Sequence, residues 1–353
     1  MRRFRESSAL SAFQMSDAPL DTAGALRALA AGGTLLILGV VLGDWARVGV
    51  AYLGAACSVA FVLGNSYRVR FTVLVAASAG AAVGIVVGGS TTGHGALPII
   101  VVAVAAAAVS GLIGVLGPGG PAFGMMLSIG VAYGQFGGSS LAPVHQAVWY
   151  LVGALVVGVA HFAEWPFRAG IRRRPPLATT TDTQSRSIRD DAVRVSNRMR
   201  TPAAVHNSAR TALCLGVATA ITVAVHAPEH GFWLPLTVAV IVRPEYGSVV
   251  GRTVNRVAGT VIGAAVAAGV VAIWPSGIVV AVAASVGLAF AVLTGPKLYG
   301  LRVVGITLSA LLSASVGAPD ALGPEIRLLD TLAGAAIAVV FGYVIWAGSK
   351  DEA

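Results

Sequence analysis

Charge is what this chain has least of. Asp, Glu, Lys and Arg make up 11% of its 353 residues and hydrophobic types 56%, whereas soluble domains carry about a quarter charged residues. Mean hydropathy is +0.82, outside the range of a soluble fold. Cysteine is nearly missing. Cys57 and Cys214 lie in apolar segments of different halves, so they read as buried free thiols, and neither a disulfide framework nor a metal site is expected. His145 and His161 are isolated, with no partner for metal ligation. There is no Walker A sequence, GxSxG elbow, HExxH or CxxC, and the runs GPGGP and GGSSLAP lack the lysine of a phosphate loop. No enzyme, no ATP-driven pump and no cofactor are therefore expected. A signal peptide is not expected either. The basic start MRRFRESSAL meets no apolar run until about Ala23, so the first helix should remain as an anchor.

What the chain does have is a long series of apolar runs. A spanning helix needs about 20 mostly apolar residues. Candidate spans are 23–42, 46–64, 71–89, 97–116, 122–138 and 144–163, then 209–226, 232–250, 254–273, 277–294, 299–317 and 328–346. The 44 glycines lie inside these runs, as expected where helices pack closely in lipid. The net charge of +9 is concentrated: ten arginines stand between Arg168 and Arg210 against Asp182, Asp190 and Asp191. No nucleic-acid-binding motif accompanies them, and the positive-inside rule makes this segment a cytoplasmic loop. Twelve spans then place both termini and the linker in the cytoplasm of a multi-pass protein of the cell (inner or plasma) membrane. Arg68, Arg70, Arg252, Arg256, Lys297 and Arg302 fall at cytoplasmic ends, while Arg47 and Arg327 fall on the outer side.

The two halves resemble each other. AGAAVGIVVGG at 79–89 parallels AGTVIGAAVAAG at 258–269, VLGPGGPAFG at 115–124 parallels VLTGPKLYG at 292–300, and YLVGALVVGVAHFAEW at 150–165 parallels TLAGAAIAVVFGYVIW at 331–346. A unit with an even number of spans keeps its orientation when duplicated, so the repeats are parallel. The expected fold is an all-α polytopic membrane protein of about twelve transmembrane helices in two six-helix repeats. Its parts are a tail at 1–22, a first repeat at 23–167, a basic linker at 168–208, a second repeat at 209–347 and a tail at 348–353. The linker reads as disordered at first, then as a short charged helix ending before Pro202.

One stretch carries chemistry: HGFWLPLTVAVIVRPEYGSVVGRTVNRVAGTVIG at 230–263. Its apolar portion, Phe232 to Val242, rises only about 16 Å as a helix, half of what a bilayer requires. Arg243, Pro244 and Glu245 then interrupt it, and interrupted backbone at membrane depth lines a cavity or lies buried in protein. In the following helix Arg252, Asn255, Arg256, Gly259, Thr260 and Gly263 share one face. Two arginines one turn apart suit a carboxylate. Equally, Arg252 and Arg256 suit snorkelling to headgroups, and Gly259 with Gly263 suits an ordinary GxxxG contact. Arg243, beside the break, is the stronger anion candidate.

The same stretch closely resembles the signature of the FUSC family, the fusaric acid resistance and aromatic acid exporter proteins. Trp233, Leu236-Thr237, Pro244, Gly247, Arg252, Arg256 and the Gly259-Thr260…Gly263 end carry the resemblance. It implies export of aromatic carboxylates driven by the proton gradient. Plant aluminium-activated malate channels look like distant relatives, which implies paired six-helix units around an anion path. The chain differs from long family members in its short linker, and Val73 and Ala77 stand where the first repeat would carry Arg252 and Arg256.

The expected substrate site is Arg243, Arg252, Arg256, Asn255, Thr260 and Trp233. Pro235, Thr237, Pro244, Gly247, Gly259 and Gly263 form the helix-break and packing motif. Glu245, Glu229 and His230 are the proton-coupling candidates, although Glu229 and His230 read first as an exposed loop. Asp330 is expected to pair locally with Arg327, and Asp44 to cap or anchor beside Trp45. Partners are a small organic anion and the lipid bilayer, not nucleic acid, with a homo-oligomer left open. The alternatives to a proton-coupled exporter are a passive organic-anion channel and a non-transporting scaffold of an envelope complex.

Overall fold

The computed structural model describes residues 15–61, 67–163, 195–225, 231–242, 249–315 and 324–346. Among these residues the main elements are helical and no strand occurs. The helices are α1 (Thr22–Leu42), α2 (Trp45–Val59), α3 (Tyr67–Gly89), α4 (Ala96–Ile113), α5 (Gly120–Phe136) and α6 (Pro143–Phe162), then α7 (Pro202–Ala224), α8 (Trp233–Ile241), α9 (Val249–Ile273), α10 (Gly277–Thr294), α11 (Tyr299–Ser315) and α12 (Pro324–Val339), the last continuing as a π-helical turn over Val340–Val344. Each candidate span falls on one of them. A helical stretch at 195–199 precedes Pro202, as the sequence suggested, but α7 already starts inside the expected linker.

Local chemistry explains the helix ends. Asp21 accepts the Gly24 N–H at 2.8 Å to start α1, and Gly43 ends it at φ 66°, a conformation that costs glycine little. Asp44 caps α2 by accepting the Arg47 N–H at 3.2 Å and also pairs with the Arg47 side chain at 2.8 Å. Thr201 caps α7 with Pro202 in the first turn. The most informative end is that of α8. The helix stops at Val242, whose ψ of 104° is extended, two residues before Pro244 in the sequence. Proline removes a backbone donor and pushes its predecessor out of the helical region. Among the described residues, the expected span 232–250 holds a helix of 9 residues and the first two residues of α9.

The helices divide into two classes. Seven are long and apolar enough to cross a membrane: α1, α3, α4, α6, α9, α10 and α12 with its π-helical turn. The exposed large hydrophobic side chains of the twelve helices lie on these seven and on α7; α2, α5, α8 and α11 present none. Those four have 15, 17, 9 and 17 residues. They form the inside of the bundle, where shielding from lipid removes the need for a full-length apolar cylinder.

Helix pairing follows one scheme in both halves. The pairs α3·α5, α2·α6, α4·α5 and α3·α6 recur as α9·α11, α8·α12, α10·α11 and α9·α12. The halves exchange contacts reciprocally, α1 against α10 and α4 against α7. Glycine makes the closest of these approaches. A Cβ on Gly80 or Gly84 would strike the carbonyls of Phe123 and Leu127, and one on Gly259 or Gly263 would meet those of Gly300 and Val304 at 2.6 and 2.7 Å. Both helices of each pair advance by four residues between these contacts, so α3 runs parallel to α5 and α9 parallel to α11.

Candidate functional site

A cavity of about 360 Å³ lies among the four inner helices, with α3, α9, α10 and α12 adding to its walls. Its walls are chemically unequal. From the first half, α2 contributes Leu53 and Cys57, α3 contributes Val73, and α5 contributes Met125, Met126 and Ile129. From the second half come Arg256 on α9, Tyr299, Arg302 and Ser309 on α11, Trp233 on α8 and Arg327 on α12. The first half's wall is apolar, and the second half's sets its arginines and aromatic rings among Leu236, Val240, Leu288, Ile306 and Ala310. Among the described lining residues there is no carboxylate and no imidazole.

Packing fixes the cationic wall. Arg256 sits two turns into α9 and is only 3% exposed. Its Nε and Nη2 are buried without a hydrogen-bond partner. Arg327, in the first turn of α12, is 1% exposed, and its Nε and Nη1 likewise lack a partner. Its guanidinium lies over the Trp233 ring, 3.7 Å from the centroid, a cation–π contact that is strongest when desolvated. Trp233 is held in turn by Phe232, whose ring centroid is 4.1 Å away, and Phe232 meets Tyr133 edge-on at 5.4 Å. On α11, Arg302 donates from Nη2 to the Ala60 carbonyl at 3.1 Å. The Ser309 hydroxyl lies 2.6 Å from the Tyr52 hydroxyl, which donates to the Ala284 carbonyl at 3.0 Å. The Tyr299 hydroxyl is buried and lacks a partner.

Of the expected site residues, Arg256 and Trp233 are brought together in this cavity. Asn255 and Thr260 are buried but lie outside its lining. The Asn255 side chain donates to the Gly251 carbonyl at 2.9 Å and packs beside Gly300 of α11. Thr237 faces Gly334 of α12, and Pro235 is buried within α8. Arg243, Pro244, Glu245, Gly247, Glu229 and His230 lie outside the described residues, as does the side chain of Arg252. Arg327 requires a correction. The sequence suggested a local pair with Asp330; the two charges act on each other without a salt-bridge contact, and the guanidinium turns inward onto Trp233. An Arg–Asp spacing of three on a helix reads as a surface pair, and only the neighbouring helix α8 redirects it. Tyr299 stood in the sequence only as part of the repeat match VLTGPKLYG, and Arg302 only as a charge at a cytoplasmic end. Their signal was position, at the start of a short helix rich in small residues.

Among the described residues, no group of three or more His, Cys, Asp or Glu is arranged to hold a metal ion. The arginine wall can hold an anion, and the opposite wall can hold an apolar body.

The apolar outer helices, packed around an inner cavity that holds buried arginines, define a multi-pass membrane protein. Residues 213–341, within the second half of the chain, match a family model described as fusaric acid resistance protein-like. The matched stretch contains the whole cationic wall: Trp233, Arg256, Tyr299, Arg302 and Arg327. Neither the curated proteins nor the solved structures contain a significant match.

Proposed function

We propose that this protein carries small organic anions, such as aromatic carboxylates, across the cell membrane through the cavity between α2, α5, α8 and α11. The observation that carries the reading is the burial of Arg256 and Arg327 around one cavity, each with guanidinium N–H groups left unpartnered. An uncompensated buried charge costs several kcal/mol, and intramembrane charge is retained for function. An anion would satisfy both arginines at once. Its apolar portion would lie against Met126 and Ile129, and an aromatic ring would suit the Trp233 edge of the site.

The reading includes twelve spans in two parallel six-helix repeats, with the termini and the basic linker in the cytoplasm. Its support is the recurrence of the same helix pairs in both halves and the equivalent glycine contacts, Gly84 with Leu127 and Gly263 with Val304. Under that repeat, Arg256, Arg302 and Arg327 correspond to Ala77, Met125 and Gln146. The second repeat supplies charge and the first supplies the apolar wall.

Export driven by protons requires a titratable group on the path, and Glu229, His230 and Glu245 are its candidates. The described lining holds no such acid or imidazole, which favours a passive anion channel as the second reading. Reconstitution into proteoliposomes with a panel of aromatic and aliphatic carboxylates, with and without a pH gradient, tests both. Flux that follows the anion gradient alone selects the channel, and flux driven by the pH gradient selects the exporter. No flux of any carboxylate, with Arg256→Ala and Arg327→Ala indistinguishable from the parent, removes the transport reading.

A further inference from the structure

A second cavity, of about 260 Å³, lies against the first. It is bounded by the end of α4 and start of α5 (Ser110, Gly114, Pro118, Pro121), by α7 (Asn207, Thr211) and by the end of α8 (Val242). It therefore sits at the end of the bundle where α4 turns into α5. Its polar groups are already held in place. Ser110 donates to the Gly124 carbonyl at 2.5 Å and lies 2.7 Å from the Ser128 hydroxyl. Asn207 donates to the Gly111 carbonyl at 3.1 Å. Three residues line both cavities: Phe61 at the end of α2, Val73 on α3 and Met125 on α5.

The corresponding place on the other side of the bundle, between α1, the end of α10 and the start of α11, is crossed by chain. The segment before α1 crosses it, with the Ser16 N–H donating to Lys297 at 2.8 Å and the Asp21 N–H to Leu293 at 3.3 Å. Arg302 then ties α11 to Ala60 at the end of α2. The stretch before α7, which holds the equivalent position, contributes nothing described to the second cavity.

We propose that solute reaches the arginine cavity through this vestibule, and that Phe61, Val73 and Met125 are the apolar constriction between the two. The proposal rests on the transport reading for the identity of what passes. An anion in the vestibule, whose few hydroxyl and amide groups stand among apolar residues, must shed its remaining water to pass three apolar side chains, which is the barrier a hydrophobic constriction imposes. Beyond it, Arg256 and Arg302 restore favourable contacts. Met125, unbranched and flexible, is the side chain best able to yield. The path is thus asymmetric although the helix packing is not.

Cys57 lines the arginine cavity one turn before Phe61, while Cys214 is buried beside Gly342, away from both cavities. In a Cys214→Ala background, labelling of Cys57 by the anionic thiol reagent 2-sulfonatoethyl methanethiosulfonate reports arrival in the cavity. Thr211→Trp fills the vestibule and is expected to slow labelling about tenfold, whereas Phe61→Ala widens the constriction and is expected to accelerate it to a similar degree. Unchanged rates in both variants, each eluting as the parent does, overturn the proposal. Acceleration by Phe61→Ala supports it even where Thr211→Trp fails to assemble. Arg327→Met with a neutral methyl methanethiosulfonate control separates the two readings. If labelling shows no preference for the anionic reagent but still depends on Thr211 and Phe61, the anion site fails and the route stands.

Discussion

Arg327 illustrates how a single residue decides between structural and functional readings. Replacing a buried cation that makes no salt-bridge contact by an apolar side chain of similar volume removes a desolvation cost and is often neutral or stabilising. Arg327→Met is therefore expected to keep or raise the midpoint of thermal unfolding in detergent while lowering organic-anion flux about tenfold or more. A purely structural arginine would show the reverse, lost stability with unchanged flux per folded molecule. Arg327→Lys keeps the charge but loses the planar face that lies 3.7 Å from the Trp233 ring, so it should retain only part of the flux. Arg256→Ala should lose flux with insertion intact, measured as monodisperse yield beside transport. Of these two arginines, Arg256 was legible in sequence because it sits in a stripe with Gly259 and Gly263. Arg327 was not, because its neighbour Asp330 offers the simpler partner and the Trp233 ring comes from a helix ninety-odd positions earlier.

Helices whose faces meet only lipid or only protein leave different traces in sequence. The outer helices read directly, since apolar residues run all the way round them, as in the α10 segment GIVVAVAASVGLAFAVLT. The inner ones are shorter, and α8 breaks off at Val242; the interruption was visible as Arg243-Pro244, but the enclosure by α2, α5 and α11 depended on contacts between distant segments. The same limit applies to Asn255 and Thr260. Helical spacing put them on one face with Arg256, but that face is wide enough for Asn255 to pack on α11 while Arg256 meets the cavity. The α9–α11 seam tests this element-scale account. A Cβ on Gly263 would lie 2.7 Å from the Val304 carbonyl and 2.9 Å from the Thr307 Cβ, contacts that only a shift of α11 can relieve. Gly263→Val should cost about 1–3 kcal/mol by overpacking, read as a lowered unfolding midpoint. Because α11 carries Tyr299 and Arg302, flux should fall even in the fraction that folds.

For the whole molecule, the reciprocal contacts α1·α10 and α4·α7 matter more than any seam within a half. Each half completes the packing of the other, and the cavity takes its apolar wall from one and its cationic wall from the other. Neither half alone would enclose a solute. The only covalent link between them, the basic segment between α6 and α7, adds no described residue to either cavity wall before Asn207. Cutting the chain within residues 175–185 and co-expressing the two pieces should therefore yield a complex that co-purifies and retains organic-anion flux, while each piece alone should aggregate or be degraded, because the apolar faces of α1, α4, α7 and α10 would lie open. Parallel repeats add a topological requirement: reporters fused before residue 15, within the linker and after residue 346 should all lie on one side of the membrane. A linker reporter on the opposite side from the N-terminus would mean that the first half crosses an odd number of times. The two halves would then be inverted, and the shared helix-pairing scheme would have to be explained by an axis in the membrane plane rather than along its normal.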